Sequence, residues 1–257
     1  MPPMSSSMSP SSPMPSSSRR GAFITLEGGE GAGKTTQARH IADRLRAKGI
    51  AAVTTREPGG SPRAEILRDV LLSGTLKQLG AKAEAIVFSA ARIDHIDSMI
   101  APALAAGTWV ICDRFADSTR VYQGTFGGVD QTFLQELERV TLNGLQPDLT
   151  LILDLPPVMG LARAAARRGS QGLDRFESEG IGFHEALRQA YLDIAAAEPE
   201  RCIVVDAMQS EDEVAQAIWD AIVSRLRPDD RRPQVAEDPT KDVKAQESKI
   251  QESKTLA

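Results

Sequence analysis

The sequence predicts an α/β domain built on a five-stranded parallel sheet with helices on both faces. Three observations carry that prediction. Apolar runs recur at 22–26, 51–54, 108–112, 149–155 and 202–205, stretches with helical patterns separate them, and the runs are apolar at successive positions instead of alternating. Parallel strands need crossovers of a dozen or more residues, and strands apolar on both faces belong between two layers of helix. In such sheets ligands sit beyond the carboxyl ends of the strands, so the loop after each run is where function is sought.

With 257 residues, 41% hydrophobic and 25% charged, the globular pattern reads as one domain over 21–227. Residues 1–20 are almost all Met, Ser and Pro and end in Arg19-Arg20, without the apolar stretch of a signal peptide or the length of a membrane span. They read as a disordered tail, or as the product of a start codon upstream of the true one. From 228 to 257 charged residues, Gln and Pro displace large apolar ones, which leaves too little burial to offset ordering entropy; a second disordered tail is expected. A net charge of −5 and a pI of about 5.4 argue against a nucleic-acid or membrane-surface partner, so any basic site must be local. Cys112 and Cys202 lie inside apolar runs and read as buried thiols of a reducing cytosol rather than a disulfide or metal site.

The loop after the first run gives the strongest signal. Gly28-Gly29-Glu30-Gly31-Ala32-Gly33-Lys34-Thr35 fits G-x-x-x-x-G-K-[ST] between a strand pattern and the helical spacing of Ala38, Ile41, Ala42 and Leu45. Glycines let successive N–H groups curl inward at a helix N-terminus, where the dipole already favours anions, and a polyphosphate fits there. Lys34 then supplies a point charge for the β- and γ-phosphates and Thr35 an oxygen ligand for Mg²⁺. Glu30 would repel phosphate, so it should point elsewhere: toward an acceptor hydroxyl, a magnesium-bound water or solvent.

The second run ends in Arg56-Glu57-Pro58-Gly59-Gly60-Ser61-Pro62, a rigid turn before a helix at 63–72. The fork of Arg56 suits two oxygens of an acceptor phosphate, or else pairs with Glu57 or a helix end. A helical stretch at 81–106 sets Ala85, Phe88 and Arg92 on one face. A ring and a donor fork one turn apart match a planar heterocyclic base, with core packing as the plainer reading. The third run ends in Asp113-Arg114-Phe115. Asp113 is preferred over Asp154 as the carboxylate of the magnesium shell, because Arg114 beside it completes a clamp between donor and acceptor phosphates. Ser118, Thr119, Tyr122 and Gln123 form a polar loop for sugar and base contacts, or a solvated helix start. A helix at 158–168 carries Arg163, Arg167 and Arg168 into Gly169-Ser170-Gln171-Gly172, a pattern for a small lid at 163–180 that closes over a phosphoryl group and excludes water, or for a solvated helix face. Asp206-Ala207-Met208-Gln209 leads to a closing amphipathic helix through Val214, Ala217 and Ile218, near the place of a donor base.

Taken together, these motifs resemble bacterial thymidylate kinases over about 21–226. The resemblance rests on Leu-Glu-Gly-Gly-Glu-Gly-Ala-Gly-Lys-Thr-Thr from Leu26 to Thr36, Thr-Arg-Glu-Pro-Gly-Gly from Thr55, Phe-Ser-Ala-Ala-Arg from Phe88 and Asp-Arg-Phe from Asp113. Ser-Thr-Arg-Val-Tyr-Gln-Gly from Ser118, Pro-Asp-Leu-Thr-Leu from Pro147 and Leu-Asp-Arg-Phe-Glu from Leu173 extend it. It implies a three-layer P-loop kinase fold with a small lid and transfer of a phosphoryl group from Mg·ATP to dTMP. ATP would lie on Gly28, Gly29, Glu30, Gly31, Ala32, Gly33, Lys34, Thr35 and Thr36, with Thr35 and Asp113 on the metal. The family roles place Glu30 on the acceptor sugar, Arg56 and Arg114 on its phosphate, Phe88 on the face of thymine and Arg92 on its edge, with Ser118, Thr119, Tyr122 and Gln123 completing the pocket. Since the phosphate loop holds no arginine, the resemblance assigns the catalytic arginine to the lid, as Arg163, Arg167 or Arg168. It also implies a cytoplasmic homodimer without nucleic-acid or membrane partners. The Asn-Lys-x-Asp motif of a GTPase switch is absent.

Overall fold

In the computed structural model, which describes residues 20–168 and 179–228, the five apolar runs become strands β1 (Phe23–Gly28), β2 (Ala52–Arg56), β3 (Trp109–Asp113), β4 (Leu149–Asp154) and β5 (Cys202–Asp206). Among the described residues they form one parallel sheet in the order β2-β3-β1-β4-β5. β1 lies at its centre, so the loop that leaves it faces the crevice where the strand order reverses. The three inner strands are buried along nearly their whole length, as continuous apolar runs require. The outer strands β2 and β5 alternate buried and open positions because each has a sheet neighbour on one side only.

The helices are α1 (Lys34–Ala47), α2 (Pro62–Leu72), α3 (Gly80–His95), α4 (Ala101–Ala105), α5 (Ala116–Thr119), α6 (Gln131–Leu142), α7 (Pro157–Arg168), α8 (Ile181–Ala197) and α9 (Glu211–Leu226). On one face of the sheet, Ile24 and Leu26 of β1 pack with Ile41 and Leu45 of α1 and with Trp219 and Ile222 of α9. On the other, Phe23 packs with Val110, Cys112 and Phe115, while Ile152 of β4 meets Val121, Leu187 and Tyr191. The 3.6-residue spacing of the apolar positions in α1 is what turns that helix toward the sheet.

Several expectations are refined. The stretch 81–106 contains α3 and α4 joined by a π-helical turn, Ile96–Ile100. The polar segment expected as a loop at 118–123 is helical: α5 runs into a π-helical turn, Arg120–Phe126, so its side chains are set by helix geometry. The closing helix begins at Glu211 because Ser210 and Glu213 form a reciprocal capping box that satisfies exposed N–H groups. Cys112 and Cys202 are buried free thiols. Of the expected tails and lid, residues 1–19, 229–257 and 169–178 lie outside the described residues. Among the described residues no helix is long and apolar enough to cross a membrane.

Candidate active site

The glycine-rich segment turns from β1 into α1 by backbone geometry that excludes side chains. Gly28 has φ +132°, and a Cβ there would stand 2.5 Å from the carbonyl oxygen of Leu153. Gly31 meets the backbone of Gly160 on α7, and a Cβ on Gly160 would in turn strike the carbonyl of Glu30. Lys34 curls back over the loop, its Nζ donating to the carbonyls of Gly28 (3.1 Å) and Gly29 (2.7 Å). Burial, with the positive charge of Arg114, lowers its pKa to about 8 against the pull of Glu30, Asp113 and Glu27. Thr35 Oγ1 donates to Asp113 Oδ2. The β1–β3 register, which sets Asp113 beside Leu26, brings these two oxygens together. Asp154 is engaged elsewhere: Arg188 grips both of its oxygens, at 2.6 and 2.8 Å.

Arg114 stands at the centre of the site. Its amino groups reach Glu30 Oε1 at 2.5 Å, the Gly28 carbonyl at 3.2 Å, Ser118 Oγ at 3.3 Å and the Tyr191 hydroxyl at 3.2 Å. Tyr122 donates to the same Glu30 oxygen at 3.3 Å and lays its ring 5.4 Å from the guanidinium carbon. Burial alone would raise the Glu30 carboxyl, but Arg114, Lys34 and the Tyr122 hydroxyl hold it down at about 2. Glu30 is therefore an ionised, tethered side chain turned toward Arg114, which sets aside its reading as a solvated loop residue.

A cavity of about 270 Å³ opens in front of this pair. Its walls bring together Glu30, Thr35, Arg56, Phe88, Arg92, Asp113, Arg114, Ser118, Thr119, Tyr122, Gln123 and Arg167, from six separated parts of the chain. Phe88 is half-buried in its wall, so the plainer core reading does not hold for that ring. Arg92 is fixed from behind: Nε donates to Glu57 at 2.7 Å, and one amino group donates to the Phe115 carbonyl and to Thr119 Oγ1, both at 3.1 Å. The other Glu57 oxygen faces His95 Nδ1 at 3.1 Å, and His95 Nε2 bonds Thr55 Oγ1 at 2.7 Å. Arg56 stands at the rim and bonds both oxygens of Glu65 at 3.0 and 2.9 Å, so a phosphate there competes with a carboxylate from the start of α2.

The arginines of α7 diverge. Arg167 lines the same cavity as Arg114. Arg163 donates to the Ala207 carbonyl at 3.0 Å and lines a second cavity, of about 300 Å³, with Gly31, Gly33 and Ser210 on the outer side of the loop. The side chain of Arg168 and the Leu173-to-Glu177 motif lie outside the described residues.

A family model described as thymidylate kinase matches residues 26–218. The chain belongs to the thymidylate kinase family. The thymidylate kinase of Bradyrhizobium diazoefficiens is 56% identical over 212 residues, covering 82% of this chain and 93% of that protein. That of Nitrobacter winogradskyi is 58% identical over 208 residues, 81% of this chain and 90% of that one. Among solved structures, thymidylate kinase from Ehrlichia chaffeensis is similar with a TM-score of 0.64 and 30% identity, over 79% of this chain and 99% of that one.

Behind the thymidylate kinase motifs lies a set of side chains that sequence reasoning missed. Glu27, fully buried, accepts from the Phe115 N–H and the Ser118 hydroxyl, both at 2.7 Å. Burial, with Asp117 beside it, pushes the Glu27 carboxyl up to about 7 although Arg114 pulls the other way. Asp117 is paired with both amino groups of Arg201, at 2.8 and 3.0 Å. Its available signal was a carboxylate closing an apolar run at Glu27; the contacts of Ser118 with Tyr191 and of Asp117 with Arg201 have no local signal, because they span 73 and 84 residues.

Proposed function

We propose that the cleft between the 28–35 loop and the Arg114 cavity transfers the γ-phosphoryl group of Mg·ATP to dTMP. Phosphorylation of dTMP to dTDP is the activity of the family to which the chain belongs. The observation that carries the assignment of groups is Arg114, whose guanidinium touches the phosphate loop at Gly28 on one side and lines the cavity with Phe88 and Arg92 on the other.

In this reading the dTMP phosphate enters beside Arg114 and Arg56, thymine lies on Phe88 with its edge toward Arg92, and Glu30 receives the sugar hydroxyl. The remaining pocket positions, Ser118, Thr119, Tyr122 and Gln123, close around sugar and base. The donor triphosphate lies along residues 28–36, and the second cavity, with Arg163 and Ser210, accepts its base. The second pKa of a phosphate monoester is about 6, so at neutral pH the acceptor oxygen is already ionised and no dedicated base is needed. That oxygen bonds to the γ-phosphorus as the bridging oxygen leaves on ADP. What opposes the reaction is repulsion between two polyanions, which Lys34, Arg114, Arg56 and the arginines of α7 reduce while aligning the two oxygens. The adjacent Thr35 hydroxyl and Asp113 carboxylate form an oxygen-only donor set that fits Mg²⁺. When bound, Mg²⁺ neutralises phosphate charge.

An ADP-release assay with Mg·ATP and a panel of nucleoside monophosphates tests this. Turnover should be strongest with dTMP and absent with thymidine, which lacks an ionised acceptor. The contrast with dUMP should be smaller, because one methyl group is worth about 1 to 3 kcal/mol. Turnover of thymidine but not of dTMP would overturn the reading.

The proposed state is a cytoplasmic homodimer. Exposed Ile66 and Val70 of α2, Ile86 and Ile93 of α3 and Val140 of α6 lie on helices that pack side by side, with α3 between the other two. Ile66→Glu with Ile86→Glu should convert a dimer mass to a monomer mass in light scattering; an unchanged dimer would place the contact elsewhere.

A further inference from the structure

We propose that Glu27 is a positioning residue for Arg114: its carboxylate clamps the turn that follows Arg114 and so aims the guanidinium into the cavity. The inference rests on the reading of Arg114 as the acceptor-phosphate group.

Arg114 has φ +69°, a left-handed backbone that is unfavourable for a non-glycine residue and persists where the surroundings over-determine it. Two consecutive residues of β1 supply that determination. The Arg114 N–H donates to the carbonyl of Leu26 at 2.9 Å, and the next N–H, of Phe115, donates to the side chain of Glu27. The second Glu27 oxygen holds the Ser118 hydroxyl, so the carboxylate grips both ends of the 115–118 turn. When Glu27 is ionised, that grip also sets proton direction. With its hydrogen given to Glu27, Ser118 Oγ turns its lone pairs to the Arg114 amino group at 3.3 Å and to the Tyr191 hydroxyl at 2.9 Å, and Tyr191 itself receives the same amino group. Glu27 touches neither cavity, and the other buried carboxylate beside it, Asp117, is already held by Arg201. A buried carboxylate is costly unless its oxygens are satisfied. Here both are satisfied by the turn that carries Arg114.

The test uses Glu27→Gln, Glu27→Asp, Arg114→Ala and the double variant Glu27→Gln/Arg114→Ala, with steady-state kinetics, calorimetric titration of dTMP and thermal unfolding. Misplacing a charged group by about an ångström costs on the order of 100-fold. Glu27→Gln should therefore lower kcat/KM for dTMP by about 30- to 100-fold and weaken dTMP binding, with the KM for ATP within about twofold. In the Arg114→Ala background the same change should add less than about threefold. A folded Glu27→Gln protein with dTMP kinetics within about threefold of the parent, or one that loses the same factor in both backgrounds, overturns the positioning role. If Glu27→Gln does not fold, Glu27→Asp, which keeps the charge but draws it back from the turn, should show about a tenfold loss for dTMP with ATP spared, and no change there overturns it as well. Arg114→Ala with full turnover and dTMP affinity would instead remove the underlying reading of Arg114.

Discussion

Arg114→Ala is expected to lower turnover by at least about 10³-fold while the affinity for ATP stays within about threefold. The size of the effect follows from where the guanidinium stands. It bonds Gly28 of the glycine-rich loop, pairs with Glu30 and lines the cavity proposed for dTMP, where it would neutralise charge on both reacting groups as they approach. A single preorganised donor to a developing charge is worth about 10²- to 10³-fold, and arginines at transferring phosphoryl groups reach about 10³- to 10⁵-fold. The same substitution removes the ion-pair partner of Glu30, so thermal unfolding must be measured alongside to separate lost chemistry from lost fold. Unchanged turnover in a folded Arg114→Ala protein would sink the assignment.

Lys34→Ala should act on the other side of the reaction, weakening ATP binding and lowering turnover by at least about 10²-fold. The ammonium bonds two loop carbonyls and lies near Glu30, Asp113 and Glu27, so it ties the loop together. The substitution should raise the KM for ATP together with the loss in kcat, whereas Arg114→Ala should leave that KM nearly alone. Steady-state kinetics with ATP varied at saturating dTMP distinguishes the two patterns. A Lys34→Ala protein with both constants unaltered would show that the loop binds phosphate through its backbone alone.

Strand positions were legible because each inner strand is apolar on both faces and each crossover is long. The phosphate loop was legible because its glycines, lysine and threonine are contiguous. Asp113 could be preferred over Asp154 from its neighbour Arg114, and the structure pairs the rejected acid with Arg188, a contact across 34 residues that no local pattern encodes. Arg56 lines the cavity and also pairs with Glu65 in the first turn of α2, a partner nine residues on that the turn sequence does not single out. The segment from Ser118 read as a polar loop because its mixture of hydroxyls and amides conceals helical periodicity. The supports of the site were the least legible part: the Glu57–His95 contact behind Arg92, and Glu27 behind Arg114, are buried pairings between distant segments. Composition and spacing describe which side chains face inward, but not which of them find one another.

The meeting of Gly31 with Gly160 has a mechanical consequence. Backbone touches backbone there, with no side chain between to absorb a displacement. Gly160 sits in the opening turn of a 12-residue helix whose later turns carry Arg163 toward one cavity and Arg167 toward the other. At about 1.5 Å of rise per residue, Arg167 rides roughly 10 Å beyond that point of contact. A side chain at either glycine would therefore have to push the glycine-rich loop and the helix that carries both arginines apart.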